Sequence, residues 1–199
     1  MARAVWMNSR VLGWLCVVGS TIGMADGVRL IATGHLDIPG FRDVGGTLSA
    51  IAGMFWVMGI LCVCLGLIAL RATGDRPIFR WLSWLPVVGS AASILGYVLY
   101  LAGVPSRQNI PGIAGQLLTY LGVLVVAVLV LVARKWSGWR AFTPLLVVIA
   151  IPIGAILVGI TKLDGVFIVV NTAASVILGY AVASDARSAN LQQAIGGKT

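Results

Sequence analysis

The chain has 199 residues, 59% of them hydrophobic and 10% charged, with a mean hydropathy of +1.02. Soluble domains carry about 25% charged residues, so water is excluded as the main solvent and the sequence reads as an all-α polytopic membrane protein. The net charge of +8 arises from 14 Lys and Arg against six Asp and no Glu, and the basic residues sit mostly between apolar runs. Topology control and anionic lipid headgroups account for that pattern, and no nucleic acid is expected as a partner.

At about 20 apolar residues per crossing, six transmembrane helices are predicted. They cover 10–32, 46–70, 81–103, 112–133, 141–161 and 165–183, in one domain spanning 1–199 with a short flexible tail over 185–199. The first run is long and has no small-x-small exit before Asp26, so it reads as a retained helix rather than a cleaved leader. It carries glycines at Gly19, Gly23 and Gly27, which share one face and let another helix come close. Asp26 lies within about 20° of Gly19 on the helical wheel and so points into the bundle, with Arg29 one turn on as its partner. An ionisable residue in a span is a functional candidate. The pair reads either as a structural cap on the outer end or as a polar site for an ion, proton or small solute.

The loop that follows holds His35, Asp37, Arg42 and Asp43, read as a solvated loop because one histidine with irregularly spaced carboxylates is a poor metal set. Cys16, Cys62 and Cys64, with Met54 and Met58, read as apolar filler, so no metal is expected. A bis-histidine haem is excluded, since His35 is the one histidine. Pro86 and Pro144 fall in first helical turns, where proline is tolerated. Pro152 falls mid-span, where it leaves the Val148 carbonyl without its N–H. In the last span Asn171 is expected to bond across to another helix, and Ser175, Gly179 and Ala183 form a second small-residue stripe.

The segment R-V-L-G-W-L-C-V-V-G-S at Arg10–Ser20 returns as R-W-L-S-W-L-P-V-V-G-S at Arg80–Ser90, with eight of eleven positions identical. A fainter copy at Arg140–Ala150 keeps Arg140, Leu145, Val147 and Val148. The expected architecture is three parallel helical hairpins, over 10–71, 80–134 and 140–184, forming an internal repeat. Ten Lys and Arg fall on the side of Arg10, Arg80 and Arg140, and four (Arg29, Arg42, Arg107 and Lys162) on the other. Both termini are therefore expected in the cytoplasm of a plasma or inner-membrane protein. Trp6, Trp14, Trp81, Trp84, Trp136 and Trp139 agree, as an interfacial belt on that side.

There is no P-loop, HExxH or G-x-S-x-G motif, so neither an enzyme nor a cofactor is expected. The function expected first is a non-enzymatic accessory, scaffold or sensor component working through helix contacts. Its partners would be membrane lipids and a second copy or another membrane subunit. The alternative is a small solute or ion transporter, or a channel-like module, with Asp26, Arg29 and Asn171 as its polar site.

Overall fold

The computed structural model describes residues 8–33, 46–105 and 109–185, and the backbone of 186–196. The described residues form helices and connecting turns, without strands. The helices are α1 (Ser9–Ala32), α2 (Gly46–Ala69), α3 (Pro77–Leu82), α4 (Leu85–Leu101), α5 (Ile110–Ala133), α6 (Thr143–Thr161) and α7 (Asp164–Gly196). Counting α3 with α4, and the 3-10 turn Gly138–Phe142 with α6, six are long and apolar enough to cross a membrane. The expected boundaries hold to within a few residues, except that α7 stays helical as far as Gly196, into the segment expected to be a tail.

Proline distinguishes how the runs after Arg10, Arg80 and Arg140 begin. In α1 an Asn8 cap, its side chain accepting from the Arg10 N–H at 3.2 Å, starts one unbroken helix. In the second copy Pro86 stands where Cys16 stands in the first. Without an N–H it cannot serve the Leu82 carbonyl, and the helix divides into α3 and α4 at Ser83–Trp84. In the third, Pro144 offers the Arg140 carbonyl no N–H, and the Thr143 N–H donates to it. The Thr143 hydroxyl donates to it as well at 2.8 Å, after a 3-10 turn.

Each spanning helix packs on its neighbours in the chain, and α7 closes the ring against α1 in the most extensive contact of all. The two small-residue stripes explain this closeness. A Cβ on Gly13 would lie 2.6 Å from the Gly179 carbonyl oxygen, and one on Gly179 2.8 Å from that of Gly13. At the other end Gly27 and Gly165 meet backbone to backbone, and between them Gly23 packs on Thr172 and Trp56. Gly19 turns instead to α2, against the Phe55 carbonyl.

The apolar core gathers in the half of the bundle nearer Arg10 and Arg140, around Cys16, Val63, Leu67, Val126, Val130 and Val182. At that end Asp185 accepts from Arg140 Nη1 at 2.9 Å and from Trp136 Nε1 at 3.1 Å, tying the α5–α6 connection to α7. Trp136 is therefore only 6% exposed and is not part of an interfacial belt, whereas Trp14, Trp81, Trp84 and Trp139 are exposed. Trp6 lies outside the described residues. Asp75 joins two connections of the same end, 3.1 Å from Lys135 Nζ and 3.5 Å from Arg71. The hydrogen-bonded Lys135 ammonium holds its carboxyl below the usual carboxylate range. A depressed folded value favours the folded state at neutral pH, and this contribution fades as pH falls through the carboxylate range. Asp185→Asn, which removes the charge facing Arg140 and leaves one acceptor oxygen for two donors, is expected to cost about 1–2 kcal/mol. Asp75→Asn, at a fully solvated pair, should leave the melting temperature in detergent nearly unchanged.

The turn between α6 and α7 is two residues long. Lys162 caps α6 in the left-handed region (φ 61°), donating its N–H to the Val158 carbonyl at 2.7 Å. Glycine takes that conformation without the Cβ penalty. Lys162→Gly is expected to raise stability by about 1 kcal/mol, read as a higher thermal midpoint.

Candidate functional site: a cavity beside Asp26

Opposite the apolar core the bundle is hollow. A cavity of about 240 Å³ lies between α1, α2, α4 and α5, with Ile168 of α7 behind it. Gly23 and Asp26 of α1 form one wall, facing Ser49, Gly53 and Trp56 of α2. Ser93, Tyr97 and Tyr100 of α4 and Gln116 of α5 complete it. Room for one of the rings comes from a glycine: a Cβ on Gly53 would lie 2.6 Å from the Tyr97 hydroxyl.

Asp26 is 8% exposed, as its place on the glycine face requires. Arg29 reaches back to it with Nε at 2.9 Å and Nη2 at 2.7 Å, and both bonds fall on Oδ1. Nη2 also donates to Ser49 Oγ at 2.9 Å, which joins α1 to the first turn of α2. A fork-on-fork guanidinium pair would occupy both carboxylate oxygens. Here Oδ2 accepts nothing among the described residues. The Arg29 side chain is itself 35% exposed, so the pair stands at the rim of the bundle rather than in its core.

Asn109 fixes the entrance. Its Oδ1 accepts from the Gly112 N–H at 3.0 Å, capping α5, while Nδ2 donates to the Gly96 carbonyl at 2.6 Å on α4. Ser93 is 1% exposed and its Oγ has no hydrogen-bond partner, although it lines the cavity. The Tyr97 hydroxyl hydrogen-bonds the Gln116 side chain. Trp56 crosses from α2 to α7, donating Nε1 to Ser175 Oγ at 3.2 Å, and forms part of the floor. Beneath it a space of about 30 Å³ shares Trp56, Ser93, Tyr97 and Gln116 with the main cavity and reaches Thr119 and Tyr120. Below that, Ile60, Val123 and Val147 belong to or adjoin the packed apolar core.

No family of known proteins, no curated protein and no solved structure matches this chain.

Of the residues singled out from sequence, Asp26 lines the cavity and Arg29 holds Asp26. Asn171 does neither. It is buried against Gly154 of α6, and its Nδ2 donates to Phe167 O of its own helix at 2.8 Å instead of bonding across. Its Oδ1 has no partner. His35, Asp37, Arg42 and Asp43 lie outside the described residues. Among the described residues no group of three or more His, Cys, Asp or Glu is placed to hold a metal ion. Sequence reasoning missed Ser49, Ser93, Tyr97, Tyr100, Asn109 and Gln116. The signal was there in part, because Gln116 is a mid-span amide and Asn109 precedes Ile-Pro as a helix cap would.

Proposed function

We propose that the chain is a non-enzymatic, solute-binding component of the plasma or inner membrane, of sensor type, whose ligand sits in the Asp26 cavity. The observation carrying this reading is the cavity itself. It is roomy, mostly apolar, and bears a few convergent polar groups, including a buried carboxylate, as small-molecule sites do. With both termini cytoplasmic, as the ten-to-four distribution of Lys and Arg favours, the cavity opens toward the outer face. The packed core then closes the way to the cytoplasm, which favours a binder over an open channel.

A second reading, a carrier, draws on one observation: the cavity continues past Trp56 into the smaller space beside Tyr120. Packing of each helix on its chain neighbours is also what three parallel hairpins built from an internal repeat would give, with the first hairpin specialised for binding. Membrane lipids, a second copy or another membrane subunit would cover outward faces such as Ile153, Ile156 and Ile160.

Native mass spectrometry of the detergent-extracted protein tests the binding reading. Wild type is expected to carry a small molecule other than lipid. Gly53→Leu, which places a side chain into the cavity wall, should lose it. A wild type carrying lipid alone would overturn the proposal. Flux of the bound compound in proteoliposomes would move the assignment from sensor to carrier.

A further inference from the structure

Resting on the cavity reading above, we infer that the ligand is a small organic cation, a protonated amine on an aromatic or aliphatic body. Three independent features of the cavity agree on this class. First, its ionic lining is one-sided: among the described residues that line it there is no lysine, arginine or histidine, and Asp26 is the one carboxylate. Second, that carboxylate is only half used. Arg29 places both its bonds on Oδ1, and Oδ2 is left without a donor at a residue 8% exposed. That oxygen keeps accessible surface, and an ammonium group in the cavity supplies it with a charge-assisted N–H bond. Third, Trp56, Tyr97 and Tyr100 bring three aromatic rings to the same cavity, and ring faces attract a desolvated cation.

Ser93 also lines the cavity, but its hydroxyl is turned into the α4–α5 seam beside Gly115. Competing classes fit less well. An anion would find Asp26 but no free cation among the described lining residues. A neutral hydrocarbon would strip water from Oδ2 without supplying a donor, which carries the cost of an unsatisfied polar group.

The test is titration calorimetry of the purified full chain with three probes of one shape: phenethylamine, phenethyl alcohol and phenylacetate. The amine is expected to bind about tenfold or more tighter than the alcohol, with the anion weakest. Asp26→Asn should erase the preference for the amine while leaving the alcohol's affinity in place. If Asp26→Asn does not fold, Tyr100→Leu at the cavity mouth serves instead, and should weaken the amine more than the alcohol. Equal binding of amine and alcohol, both lost in Gly53→Leu, would overturn the cation assignment and keep the cavity as a binding site. Preference for phenylacetate would overturn it in favour of Arg29 as the recognising group. Binding of none of the probes would also overturn it, and native mass spectrometry would then judge the cavity reading separately.

Discussion

Gly165→Leu is expected to destabilise the protein by about 3 kcal/mol or more, giving a species that aggregates on size exclusion in detergent. Gly165 sits in the first turn of α7, with the Gly27 carbonyl of α1 in the place its side chain would occupy and the Ile31 N–H 2.9 Å from it. These are backbone atoms and cannot rotate aside, so the two helices must part. They cannot part locally, because the same pair is pinned at the far end by Gly13 against Gly179 and Ala183. Between these points lie Gly23 on Thr172 and the 3.4 Å contact of Cys16 Sγ with the Ser175 carbonyl. In a bilayer, close packing of this kind replaces the hydrophobic drive that holds soluble helices together. Gly159 of α6 is the control, since a Cβ there meets nothing within 4 Å. A Gly165→Leu protein that melts with Gly159→Leu would show that the seam does not hold the bundle.

The second large effect is expected at Asp26. Asp26→Asn removes the charge that faces Arg29 and leaves a partly buried guanidinium with neutral acceptors, the carboxamide oxygen and Ser49 Oγ. The cost is expected at about 2 kcal/mol, below that of a fully buried pair because Arg29 is 35% exposed. Removing both charges, in Asp26→Asn with Arg29→Gln, should restore part of the stability, since no unpaired charge then remains. It should not restore ligand binding. Thermal midpoints of the four proteins give the stability cycle, and native mass spectrometry gives occupancy. Recovery of binding in the double variant would separate Asp26 from ligand recognition altogether.

What could be read from the sequence follows the range of the interactions involved. Six apolar runs identify six helices because the hydrocarbon length is a local requirement. The Asp26–Arg29 pair and the glycine face were equally legible, being a matter of helical phase within one segment. The break between α3 and α4 was half legible: Pro86 was recognised as belonging to a first turn, but the residues before it were assigned to the same helix. Trp136 resembled an interfacial tryptophan until Asp185, on a helix far along the chain, placed its carboxylate over the indole N–H. Asn171 was expected to reach another helix, but Gly154 offers it no side chain, and its own Phe167 carbonyl lies one turn away. The cavity was not legible, because Ser49, Ser93, Tyr97 and Gln116 come from three helices whose relative rotation depends on packing.

The ring closed by α7 on α1 also has a consequence for biogenesis. The principal partner of the first helix follows the five other spans in the chain, so Gly13, Gly23 and Gly27 have no α7 to meet until all of those have been made. Contacts such as α4 on α5 can form early in translation, whereas the seam that locks the bundle must wait for α7. Nascent chains arrested before Leu163 would expose that groove, marking them as incomplete to any membrane protease that inspects unpaired helices.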